Sequence, residues 1–181
     1  MLKWLGNCAV AGGIFFSFMS VSQASLIGDT VDISWQFPNL GTITASDSVV
    51  VGAGVEVSCP GASTLCNNGQ GVWDGESVDI GDFTIRFDTT GGWGSFSFNG
   101  LVFDSLDLGG PITGFILATN IAGFDASRIA FGLDFLSINV SGVQPAGFIE
   151  VTLTTVPEPA SLALLGGGLA ALGLLRRRRR S

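Results

Sequence analysis

Asn67, Asn68, Trp73, Asp74, Gly75, Glu76, Asp79 and Asp82 make the densest run of oxygen-bearing side chains in the sequence. Carboxylates and amides at alternating positions supply the roughly six to eight hard oxygens that calcium takes. Asp74, Glu76, Asp79 and Asp82 are therefore the candidate calcium ligands. The order is not that of an EF-hand loop, since its Asp-x-Asp-x-Asp-Gly spacing is missing. The competing reading makes the same aspartates turn caps of a polar loop. Trp73 and Trp93 are candidate platforms for sugar rings, with the neighbouring carboxylates accepting hydroxyl hydrogen bonds. Beside Phe96, Phe98 and Phe103 they serve equally well as core.

The chain has no histidine. That removes Ser-His-Asp and Cys-His catalysis and histidine-ligated metals. Two carboxylates of the glycosidase kind stay open. Acidic side chains on strand faces are ordinarily solvated surface, however, and the expectation is a non-catalytic body. Fourteen of the 15 acidic residues lie between residues 25 and 156, against only Arg86 and Arg128 of the 8 basic ones, a net charge of −12. So acidic a body lacks the basic footprint that nucleic acid or anionic lipid requires. Acidic polysaccharide is repelled too, unless a divalent cation bridges the two.

Lys3, an apolar stretch over residues 5–19 and the small-x-small triplet Ser22-Gln23-Ala24 predict a secretory signal peptide over residues 1–24. Cys8 falls within it. Cys59 and Cys66 remain, and two cysteines in an exported chain with six residues between them are expected to pair as a disulfide.

The opposite end has three parts. Pro157 and Pro159 hold the peptide around Glu158 extended, a form that a protease cleft accepts. Residues 161–175 carry no charge and are apolar all round. Residues 160–175 as a helix span about 24 Å against a hydrocarbon core of roughly 30 Å, a marginal transmembrane helix that snorkelling arginines complete. Arg176, Arg177, Arg178, Arg179 and Arg180 are costly to translocate and act as a membrane stop signal on the cytoplasmic side. Val156-Pro157-Glu158-Pro159-Ala160-Ser161, the apolar run and the arginines together resemble the PEP-CTERM sorting signal of Gram-negative bacteria, over residues 156–181. The resemblance implies a tail that exosortase, a membrane-embedded cysteine protease, recognises at the inner membrane and cuts. The body is then released to the cell surface or the exopolysaccharide matrix. A permanent membrane anchor is the competing reading.

Between the two ends the hydropathy period is two. Val31, Ile33, Trp35 and Phe37 alternate with polar residues, as do Phe83, Ile85 and Phe87, and Ile129, Phe131, Leu133 and Phe135. Further strands are expected at 41–45, 49–57 with a break at 52–54, 77–80, 93–98, 101–103, 113–119, 136–140 and 148–154. About ten short strands separated by turn residues predict an all-β fold, a single jelly-roll-like β-sandwich domain over residues 25–155. Asn99-Gly100 is the strongest hairpin signal. The slip of the alternation at Phe135-Leu136 predicts a bulge, or a strand changing sheets. Gly52-Ala53-Gly54-Val55-Glu56-Val57, Val78-Asp79-Ile80-Gly81 and Ser137-Ile138-Asn139-Val140-Ser141-Gly142 are similar to phrases of a β-rich body found in many PEP-CTERM proteins.

Overall fold

Inward-facing Val31, Ile33 and Trp35 of one strand and Ile85 and Phe87 of another are wholly buried, while Asp32 is exposed and Arg86 and Asp88 half-exposed. This alternation builds two sheets that share one core. The computed structural model describes residues 24–67, 73–156 and 168. Its strands are β1 Thr30–Gln36, β2 Ile43–Val50, β3 Val57–Ser58, β4 Ser77–Ile80, β5 Thr84–Thr89, β6 Gly100–Asp104, β7 Ile112–Thr119, β8 Ile129–Phe131, β9 Leu136–Asn139 and β10 Gly147–Thr155. Sheet A has the order β2-β1-β6-β9-β8 and sheet B the order β3-β4-β5-β10-β7. Every ladder is antiparallel. Short 3-10 turns at Thr64–Cys66 and Ala126–Arg128 interrupt the loops.

The centre of the core is aromatic. Trp35 of sheet A lies 4.9 Å from Trp73, 4.7 Å from Trp93 and 6.5 Å from Phe87 of sheet B, between ring centroids. Each large side chain buried this way contributes roughly 1.5–3 kcal/mol. Cys59 and Cys66 form the expected disulfide, with Cα atoms 5.4 Å apart.

The all-β sandwich is borne out, but not its jelly-roll winding. A jelly roll sends most successive strands to opposite sheets. Here β1–β2 and β8–β9 are hairpins within sheet A, and β3, β4 and β5 run as a meander within sheet B. The segments 41–45 and 49–57 contribute to β2, which follows a turn at Gly41 (φ +91°) and ends before the break at 52–54, and Val57 opens β3.

Residues 93–98 are loop, not strand. The N–H of Trp93 donates to Val143 O, that of Phe96 to Ser141 Oγ and that of Gly142 to Gly94 O, so this segment is stitched to the 140–144 loop. Asn99-Gly100 is likewise no hairpin. Gly100 opens β6, and a Cβ there would lie 1.9 Å from Ile138 O. The slip at Phe135-Leu136 is a hairpin turn: Phe131 of β8 pairs Leu136 of β9, and the N–H of Gly132 donates to Phe135 O. Among the described residues no helix is long and apolar enough to cross a membrane. The expected signal peptide 1–24 and membrane helix 161–175 lie outside the described residues, save Ala24 and Gly168.

Candidate functional site

The expected calcium ligands are scattered by the geometry of β4. Side chains alternate along a strand, so Glu76, just before β4, faces inward with Val78 and Ile80, and Asp79 faces outward. Glu76 is 3% exposed; its Oε1 accepts from the hydroxyl and N–H of Thr90, and its Oε2 is buried with no partner among the described residues. Asp79 stands opposite Arg86 of β5. Asp82, past the far end of β4 and about 20 Å of extended chain from Glu76, accepts from the Ser25 hydroxyl. Asp74 is exposed. Among the described residues no three carboxylates or thiols are grouped so that they could hold a metal ion. Asn68 lies outside the described residues.

The candidate glycan platforms also turn inward. Trp73 is 3% exposed with its ring against Trp35 and Phe87, so it presents no face to a sugar. Trp93 is half-buried, stacked on Trp35, and donates from Nε1 to Thr89 Oγ1 at 2.7 Å. Indole is the largest apolar surface in this sequence, and packing it against Trp35 and Phe87 takes it out of water.

A group of acids that the sequence did not single out comes together on the outer face of sheet A. Asp32 of β1 stands directly opposite Asp104 of β6. Asp32 accepts from the Ser48 and Ser105 hydroxyls. Burial holds the Asp104 carboxyl above its ordinary range, and the charges of Asp134 and Asp32 push it further the same way. Ser105, at φ +66°, turns the chain sharply out of β6. A hollow of about 270 Å³ is lined by Asp32, Asp104, Asp47 and Ser48, among others; a wider groove of about 620 Å³ lies between Leu106, Pro111, Leu133, Asp107 and Asp134. Such a face attracts cations and accepts hydrogen bonds from hydroxyl groups. The alternation Val31-Asp32-Ile33 shows in the sequence, but only the β1–β6 register sets Asp32 beside Asp104.

On the opposite face Arg86 donates to both oxygens of Asp88 at 2.8 Å and reaches Glu150 at 3.4 Å, with Phe148 under its guanidinium. The hydrogen bond to Asp88 raises the Arg86 pKa. One of the body's two cations is thus committed to its own sheet.

β10 lies between β5 and β7 and ends at Thr155, so the chain leaves the body from an inner strand of sheet B. Pro157, Glu158, Pro159 and Arg176 to Arg180 lie beyond it, outside the described residues. Residues 155–180 match the PEP-CTERM protein-sorting motif. The PEP-CTERM match thus begins on the last residue of the last strand. No curated protein and no solved structure matches the chain. A PEP-CTERM motif suggests export and membrane-associated sorting to the surface, and it is associated with exosortase processing.

Proposed function

We propose that this chain is an exported protein of the cell envelope or exopolysaccharide matrix, held briefly at the inner membrane by its tail and released when exosortase cuts at Pro157-Glu158-Pro159. Its β-sandwich serves as a non-catalytic structural or interaction module. The observation that carries the reading is the PEP-CTERM match at residues 155–180, which starts where β10 ends. A cut in that tail leaves every described strand whole. The test is the intact mass of the protein from the extracellular fraction of the native host and from a host lacking its exosortase. A mass ending between residues 157 and 161 only where the protease is present supports the reading. A membrane-bound chain retaining Arg176 to Arg180 in both hosts overturns it in favour of a permanent anchor.

The Asp32–Asp104 pair favours one second reading, a carbohydrate-active face. One carboxyl held above its ordinary range beside a second carboxyl is the arrangement that two-carboxylate hydrolysis uses. Reducing sugar released from matrix polysaccharide, and lost in both Asp32→Asn and Asp104→Asn, is the result this reading needs.

A further inference from the structure

Each sheet has two edges, and three of the four are blunted. β3 has two residues and β8 has three, too few to template another strand. β2 is capped by the disulfide loop: Thr64 Oγ1 donates to Ser46 O at 2.6 Å, and the Thr64 N–H donates to Asp47 Oδ2 at 2.9 Å. β7 differs. It has eight residues, Ile112–Thr119, with neither a charge nor a proline, and among the described strands only β10 pairs with it. Its other flank presents a row of backbone donors and acceptors, and natural proteins ordinarily blunt such a row with charge, proline or a bulge.

The side chains around this edge are apolar and incompletely covered. Ile116 is 64% exposed. Phe115 and Leu117 pack on the core from the inner face yet are only half-buried. Phe115 lies 5.7 Å from Phe131 of β8, and Leu133, whose carbonyl accepts the Ile112 N–H, is 72% exposed. The β7 flank of the sandwich is an unpartnered apolar strip.

We infer that the released protein pairs with a second copy of itself, β7 against β7, joining the two B sheets into one. Charge selects this edge. Two bodies of net charge −12 repel wherever acids face each other, and β7 is an eight-residue stretch with none. Antiparallel strands bring residues of the same face opposite each other. A two-fold axis through Ile116 therefore sets Ile116 against its own copy and Phe115 against Leu117, one patch meeting itself.

That the protein is released rests on the sorting reading above. β10 runs antiparallel to β7, with Thr155 opposite Ile112. When two β7 strands pair antiparallel, the two β10 strands point in opposite directions, so each Thr155 lies at its own end of the joined sheet.

The experiment uses full-length protein in the native host and in the host lacking its exosortase, with solution mass by light scattering and an Ile116→Cys variant under mild oxidation. The released form is expected at twice the single-chain mass. Ile116→Cys is expected to give a covalent dimer after release. Ile116→Glu, on an exposed side chain, is expected to give monomers with an unchanged circular dichroism spectrum and a melting midpoint lowered only by the loss of pairing. A released form with single-chain mass overturns the inference, as does a dimer that Ile116→Glu leaves intact. A tail retained in both hosts sinks the sorting reading instead. The detergent-extracted chain then decides on β7, and Ile116→Cys must still cross-link there.

Discussion

Asp32 on β1 stands directly opposite Asp104 on β6, two like charges across one antiparallel ladder. Opposed like charges destabilise a sheet by roughly 0.2–1 kcal/mol. Asp104 feels Asp134 as well, and its carboxyl is raised above the ordinary range by burial first and by these charges second. A raised carboxyl binds its proton more tightly in the folded chain than in the unfolded one. Stability therefore falls as pH rises from the ordinary carboxylate value, about 3.9, through the raised one, and the penalty is fully present above that window. Asp104→Asn is expected to raise the melting midpoint by about 1–4 °C at neutral pH and to have no effect near pH 3. Added salt should shrink the gain, since the side chain, though partly desolvated, is open to solvent on the outer face of sheet A. An equal gain at low pH would show that charge is not its cause.

Asp47 ties the disulfide loop to β2. It accepts from the Thr64 N–H and from the Ser63 and Thr64 hydroxyls, while Cys59–Cys66 closes the loop behind them. Closing so short a loop is worth roughly 2–3 kcal/mol through the unfolded chain. Cys59→Ala with Cys66→Ala should lower stability by about that amount in urea, and Asp47→Ala by about 1–3 kcal/mol. The combined variant should cost less than the sum, because an open loop no longer holds Thr64 against β2. Strict additivity would show that the two contacts act independently.

Trp35 is fully buried among Trp73, Phe87 and Trp93, and its indole N–H has no acceptor among the described residues. Trp35→Ala empties the junction of the two sheets and is expected to cost about 3–5 kcal/mol. Trp35→Phe keeps most of the ring and removes a buried donor that gains nothing from folding, so its cost should be about 1–2 kcal/mol. Urea midpoints with near-ultraviolet circular dichroism measure both. Equal losses in the two variants would mean that the N–H makes a bond that matters.

What the sequence carried was local. Period-two alternation in Val31-Asp32-Ile33-Ser34-Trp35 and in Thr84-Ile85-Arg86-Phe87 marks strands wherever one face is buried, and the 59–66 spacing marks the disulfide. Partners across the sheets were not legible. The β1–β6 register that makes Asp32 and Asp104 neighbours spans about seventy residues of chain. The inward turn of Glu76 depends on where β4 begins, and a polar loop reads the same before that is known. Trp93 sits in a run as apolar as a strand, yet its N–H bonds Val143 O across a loop. Asn99-Gly100 carries hairpin chemistry, but its glycine serves close packing.

Gly100 supplies the last expectation. Its absent side chain lets β6 approach β9 at the pair Gly100–Asn139, where a Cβ would lie 1.9 Å from Ile138 O and 3.1 Å from Asn139 Cα. Both are backbone atoms, so no rotamer change relieves the clash. The ladder itself would have to part. Gly100→Ala is expected to cost about 1–3 kcal/mol or more, read as a lower urea midpoint and faster amide exchange in Leu101, Val102 and Phe103. Gly92→Ala is the comparison: its φ of +82° strains a side chain, but no atom lies within 4 Å of the new Cβ. If Gly92→Ala proved the costlier of the two, backbone conformation rather than strand approach would be what glycine supplies on this side of the sandwich.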